Sequence, residues 1–419
     1  MRIAPLLLVA ALAAAALSGC SAPHTATVIT VPAEKPTIQA AVDAAGPGDL
    51  ILVSPGTYHE AVRVEKQDLT IRGLDRNTVI LDGQNKLDSG ITVVADGVSV
   101  ENLTTHSYRK NGVLISGTGA NGYHDAYATN SAEGTELHFV KRYLVSYVTS
   151  YNNGLYGIYA FQAQDGVIES SYVSGHPDSG LYVGQCDPCN VIIRNTTAEN
   201  NAIGYYGTNA SGGVYVIQSV FRGNRLGVAP NSQNQELLSP QHETYVVGNL
   251  VEDNDNPETP PIERGFFGGG IAVGGGNGNL VARNIVRGHQ VYGIGIVTLN
   301  PFDPTDNQVI GNVLTDNGVD LLYAPSAGVT AAAGNCFSDN EFAVSLPDAI
   351  ETAMPCDGAA HSLEAVDIRY PTAPPGVDYR TMAKPGDQTT MPGTLTSLAS
   401  RLPATLDFPD LDSIGLPAQ

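Results

Sequence analysis

Residues 157–207 read GIYAFQAQDGVIESSYVSGHPDSGLYVGQCDPCNVIIRNTTAENNAIGYYG. A Gly followed by an apolar or aromatic block opens this stretch at Gly157 (GIYAFQ) and recurs at Gly180 (GLYVGQ), Gly204 (GYYGTN) and Gly227 (GVAPNS), with spacings of 23, 24 and 23 residues. After a longer segment come GIAVGG at Gly270 and GIGIVT at Gly293, again 23 apart. About a dozen residues into each unit lies a second short block: VIESSYVSG, IIRNTTAEN, VIQSVFRGN, VVGNLVEDN, VARNIVRGH and VIGNVLTDN. Two strand-like blocks in a unit of this length leave no room for a helix. A coil that cannot bury its own apolar side stacks on its neighbours, so the repeat predicts a right-handed, single-stranded parallel β-helix.

The fourth position of the second block is Ser170, Asn195, Ser219, Asn249, Asn284 and Asn312, a column expected to hydrogen-bond along the stack. Open ends of a solenoid need caps. Thr37 to Ala45, ending at Gly46, reads as a short amphipathic capping helix, and Cys336–Cys356 as a staple at the far end. Beyond Cys356 the chain is Pro-rich without a repeat, which predicts an extended tail on the domain or in solvent. The expected divisions are an export signal over 1–19, a lipidated linker over 20–30, the β-helix over 31–356 and the tail over 357–419.

Strand alternation turns the residue after each Gly inward and the next one outward. Tyr159, Tyr182 and Tyr206 then stand one above another on the outside, with Gln162, Gln185 and Asn209 three residues further on. Flat rings backed by amides suit a sugar chain; the alternative is an aromatic stack that serves packing. CDPC at 186–189 occupies the loop between two strands. No helix follows it to activate a thiol, and no second Cys pair completes a zinc site, so Cys186–Cys189 reads as a local disulfide.

The 419 residues carry a net charge of −21, 46 Gly, 26 Pro and no Trp. That charge disfavours nucleic acid and anionic lipid as partners. The start MRIAPLLLVAALAAAALSGC has an apolar run too short to span a membrane, followed by LSGC, which resembles a bacterial lipobox. Lipidation at Cys20 would leave a monomer held on the outside of a bacterial membrane, where the four remaining Cys can oxidise. Oxygen-rich corners such as EDNDN (252–256) offer Ca²⁺ ligands, although no fixed-spacing calcium loop is present, and no other cofactor is implied. The glycine run at 265–279 follows no strand–helix switch and is not a phosphate loop.

The repeats resemble right-handed β-helix proteins of the pectin-lyase-like superfamily. TIQAAVDAAGPGDLILVSPGTY is similar to the opening of many secreted members, pectin methylesterases among them. The stretch from Tyr156 to Gly207 resembles repeat-containing bacterial β-helix lipoproteins. The resemblance runs from about Val31 to Cys356 and implies the fold. It leaves activity open, because such folds serve lyases, hydrolases, epimerases, esterases and non-enzymes. No esterase motif follows the opening, and the paired carboxylates of polygalacturonases are absent from the sequence.

The insertion GTGANGYHDAYATNSAEGTELHFVKRY (117–143) lies beside the start of the tyrosine column. Removal of the C5 proton of a uronic acid needs a base, a cation for the carboxylate and an acid for the leaving oxygen. His124 with Asp125 is the candidate base, Lys141 or Arg142 the cation, and Tyr143 or Tyr182 the acid. GHPDSG sets His176 and Asp178 on the side of the tyrosine column; turn chemistry explains Pro177 and Asp178, with a second catalytic pair or a Ca²⁺ ligand as the alternative. The expected function is binding and processing of extracellular polysaccharide by lyase or C5-epimerase chemistry. The alternative is a non-catalytic binding or structural module of the cell envelope, and a metal-handling accessory protein ranks last.

Overall fold

The computed structural model describes residues 24–117, 138–234, 236, 238–262, 265–299, 301–325, 333–361, 363, 366, 368 and 370–418. Among them, strands form three parallel sheets of 12, 11 and 10 strands, the right-handed parallel β-helix that the repeat predicts. One coil passes through Tyr156–Phe161 in the 11-stranded sheet, Ala163–Glu169 in the 12-stranded sheet and Tyr172–Ser174 in the 10-stranded sheet. Ser179–Gly184 then opens the next coil. Each residue sits over its equivalent: Ile158, Leu181, Tyr205 and Val228 form one inward column, all with no solvent exposure. Burial of each such side chain contributes about 1.5–3 kcal/mol.

The corner after the 12-stranded sheet explains both the polar column and an error in the expected one. Ser170, Asn195 and Gln218 turn the chain with φ of 49°, 51° and 47°, a left-handed conformation that Gly248 and Gly311 take over on later coils. The residue after each turn points inward. The ladder is therefore Ser171, Thr196, Ser219, Asn249, Asn284, Asn312 and Asn340, one position later than Ser170 and Asn195 on the first two coils. Asn249 Nδ2 donates to Asn284 Oδ1 (3.0 Å), Asn284 Nδ2 to Asn312 Oδ1 (2.9 Å) and Asn312 Nδ2 to Asn340 Oδ1 (2.9 Å). Glu351 terminates the ladder by accepting from Asn340 Nδ2 at 2.8 Å.

A second ladder runs at the corner before the 11-stranded sheet, through Asn153, His176, Asn201, Asn224, Asn254, His289 and Asn317. His176 accepts at Nε2 from Asn153 Nδ2 (3.2 Å) and donates from Nδ1 to Asn201 Oδ1 (2.8 Å), which requires a neutral ring. His289 repeats the arrangement between Asn254 (3.1 Å) and Asn317 (2.8 Å). Turn and ladder thus absorb His176, and its role is structural.

At the first coil, helix Ile38–Ala44 is capped by Thr37, whose hydroxyl accepts from the Ala40 amide (3.0 Å), and it buries Ile38, Ala41 and Val42. At the other end, helix Ile350–Ala353 and the Cys336–Cys356 disulfide close the stack; Cys186–Cys189 is also bonded. The Pro-rich segment lies along the solenoid, tied down mostly by side chains that donate to its carbonyls. Arg225 holds Pro374 O, Asn152 holds Met382 O (2.8 Å) and Arg76 holds Thr389 O (2.9 Å). Arg72 then holds Leu395 O (3.0 Å), and Arg283 holds Leu411 O (2.7 Å) and Ile414 O (2.6 Å). The tail therefore runs toward the first coils and returns along the 12-stranded sheet.

Burial lowers His176 and His289 from the ordinary histidine value to about 4. Both rings are neutral when folded and take up protons on unfolding, so their contribution is complete above pH about 6.5 and is lost as pH falls toward about 4. Each is worth on the order of 3 kcal/mol. Because Asn fills the same column elsewhere, His176→Asn combined with His289→Asn should move the acid-unfolding midpoint to lower pH by circular dichroism. An unchanged midpoint would contradict the ladder assignment.

Candidate functional site

Among the described residues, the sequence-predicted cations and acids do not share one surface. Lys141, Arg142 and Tyr143 lie on strand Val140–Ser146 of the 12-stranded sheet, whereas the tyrosine column lies on the 11-stranded one. Arg142 has φ of 59°, and so breaks the two-residue alternation. Tyr143 consequently points into the lumen with 1% exposure, against Gly166, where a side chain would collide with its ring. Burial pushes its phenol well above the ordinary range, so it serves packing and cannot act as the predicted acid. Arg142 pairs with Asp68 (3.2 Å), which also meets Arg401 of the tail (2.8 Å), while Lys141 is exposed. His124 and Asp125 lie outside the described residues.

Tyr159, Tyr182 and Tyr206 do stack outward on consecutive coils, with centroids 4.8 and 5.8 Å apart and rings nearly perpendicular. They are nevertheless covered, with exposures of 0%, 2% and 5%. Tyr182 donates its hydroxyl to Glu236 (2.8 Å), Gln233 Nε2 donates to the Tyr206 hydroxyl (2.6 Å), and Phe266 packs edge-on to Tyr206. Gln162 and Gln185 are corner residues with φ of 52° and 49°, both buried. The column predicted to bind sugar is thus an outer aromatic core beneath the segments carrying Gln233, Glu236 and Phe266.

A different cluster stands on the 10-stranded sheet. Register places Asp82, His106 and Tyr151 on successive coils. Asp82 lies 3.7 Å from His59 Nδ1 and 3.8 Å from His106 Nδ1, and the His106 ring stacks on Tyr151 with centroids 4.7 Å apart and planes 8° from parallel. Burial lowers His106 against the opposing pull of Asp82, and Lys384 of the tail lowers it further. Burial pushes the Tyr151 phenol up to about 12. The same row continues through Ser174, Glu199, Arg222, Glu252 and Arg287. Arg222 pairs with Glu199 (2.6 Å) and Arg287 with Glu252 (2.7 Å), and both arginines are about half exposed.

The cluster combines a neutral imidazole, a carboxylate and a protonated phenol on one rigid sheet, with an ammonium contributed by the tail, which suits proton transfer. Its residues gave no motif. Asp82 and His106 are 24 apart, one coil, but Tyr151 follows only after the insertion, so the repeat spacing is lost between them. Among the described residues, no group of three or more His, Cys, Asp or Glu side chains is placed to hold a metal ion.

A family model described as "Right handed beta helix region" matches residues 67–237. No curated protein matches the chain. Among solved structures, the A-module of Azotobacter vinelandii mannuronan C-5 epimerase AlgE4 is similar at 15% identity, TM-score 0.47, over 74% of this chain and 91% of that one. Pectate lyase Pel9A gives 12%, TM-score 0.41 and 77% of each chain. The periplasmic alginate epimerase AlgG gives 12%, TM-score 0.38, and 76% and 83%. Any activity rests on this chain's own residues.

Because Tyr182 is packed and hydrogen-bonded, Tyr182→Ala should cost about 3–5 kcal/mol of stability. Thermal or denaturant unfolding should show that loss. A variant as stable as the parent would restore the exposed-platform reading.

Proposed function

We propose that this chain is an exported, lipid-anchored β-helix protein that binds uronate-containing polysaccharide on its 10-stranded sheet and removes the C5 proton there. The observation that carries the reading is Asp82 set between His59 and His106, with His106 stacked on Tyr151. His106 is the base: burial keeps it unprotonated at neutral pH. It takes the C5 proton, and the C–H electron pair moves into the carboxylate as an enolate, which the Lys384 ammonium stabilises. Tyr151, held protonated by burial, supplies a proton. Delivered to the O4 leaving group, as the enolate pair forms the C4–C5 double bond, it completes elimination; epimerisation instead takes its proton from water on the opposite face of C5. Half-exposed Arg222 and Arg287 extend the surface along the sheet, giving a polyanion local positive groups within an acidic chain.

Uronate polymers would be incubated with the protein, with unsaturated product followed by absorbance and inversion at C5 by NMR. His106→Ala and Tyr151→Phe should each lower turnover by about 10²–10⁴-fold. The acid limb of the pH profile should fall below the ordinary histidine value of about 6.5. If the polymers are bound but unchanged by the parent protein, the non-catalytic module is the correct reading. Anchoring is tested separately: labelled fatty acid should be incorporated into the parent and lost in Cys20→Ser, and an unlabelled parent would refute it.

A further inference from the structure

On the 11-stranded sheet the outward column reads Leu114, Tyr159, Tyr182, Tyr206, Ala229, Ala272, Gly295 and Leu322. Three small residues follow three tyrosines, and a leucine closes the column. The neighbouring column makes the same change, from Phe161 to Gly184, then to Asn231, Gly274 and Val297 on later coils. Where the rings stop, the sheet is overlaid rather than refilled. Phe266 and Phe267 come over it from one connection, and Val366, Ile368 and Tyr370 from the tail. Between floor and cover lies a cavity of about 730 Å³.

The lining selects a ligand class. Leu226, Val297, Leu299 and the aromatic rings of Tyr206, Tyr292 and Tyr370 present apolar surface, and the described lining contains no Lys, Arg, His, Asp or Glu. Arg225, near the rim, is turned to Phe267 and to the carbonyls of Thr259 and Pro374. Asn231 spends its amide on Ala229 O (3.0 Å) and accepts from Gln233 Nε2 (3.0 Å). Among the described lining residues a polyanionic sugar would find no cation. Edge-on ring pairs, Tyr206 with Phe266 and Tyr292 with Tyr370, offer faces and edges to another ring. The volume lies within the usual range for small-molecule sites, about 300–1,000 Å³.

We infer that this cavity binds an uncharged, largely apolar aromatic small molecule, seated on the Ala229–Ala272 floor beside the Tyr292 ring, which covers Gly295. The inference is independent of chemistry on the 10-stranded sheet. Tyr292 refills the space over Gly295, but small residues at Ala229 and Ala272 on a packed face are costly unless something fills the space above them. The two covers do not do so, and a guest of matching chemistry does.

The test uses the full chain and the neutral fluorescent probe N-phenyl-1-naphthylamine. Saturable binding at one site per chain, with blue-shifted emission, is expected. Ala272→Phe and the half-buried Val297→Trp, which both add volume inside the cavity, should each weaken it at least tenfold while leaving unfolding temperatures near the parent's. His106→Ala should leave it unchanged. Absence of saturable binding by the parent, or undiminished binding in whichever filling variant remains folded, would overturn the inference.

Discussion

Asn284 accepts from Asn249 and donates to Asn312, so each coil is tied to the next through a buried amide as well as through its backbone. This coil-to-coil registration is the constraint on which everything else depends. Each net hydrogen bond contributes only about 1 kcal/mol, but an amide left unpaired in the interior costs about 1–3 kcal/mol. The ladders therefore penalise any slip in register more than they add to stability. With register held, identical positions form continuous columns, and a choice repeated or altered along a column becomes a feature of the surface. Asp82, His106 and Tyr151 form a cluster for this reason, and Ala229 and Ala272 form a floor.

The three faces of the solenoid have different fates. The 12-stranded sheet receives the returning tail, with Phe408 stacked on Tyr215 at 5.2 Å. The 11-stranded sheet carries a second apolar layer, built from the tyrosines and the segments that cover them. The 10-stranded sheet keeps its charged row of Glu and Arg pairs, and the positive charge of Lys384 on the tail opposes protonation of His106. Arginines at 72, 76, 225 and 283 hold the tail by donating to its carbonyls, a charge-assisted pairing that suits a Pro-rich strand lacking many amides of its own. The acidic chain thus uses several of its cations on its own backbone.

How much of this was legible follows the same logic. The Gly-led blocks gave the coil, and the amphipathic pattern from Thr37 to Ala45 gave the capping helix, because both signals are local. The polar column was displaced at Ser170 and Asn195 because the left-handed turn residue and the ladder residue are adjacent and both polar on those coils. The outward direction of Tyr159, Tyr182 and Tyr206 was readable from alternation. Their burial was not, since Gln233, Glu236 and Phe266 reach them from later parts of the chain. Tyr143 was misplaced because nothing in VKRYLVS announces the left-handed Arg142. His106 escaped notice because the insertion over 117–143 hides the spacing that aligns it with Tyr151.

The account makes the 10-stranded sheet the working surface and the tyrosine column an internal layer. A crystal structure of the protein with a bound oligouronate tests that division most directly. The sugar should lie across His106 and Tyr151 and extend toward Arg222, with a uronate carboxylate near Lys384. An oligosaccharide seated instead on Tyr159, Tyr182 and Tyr206, with the covering segments displaced, would contradict it.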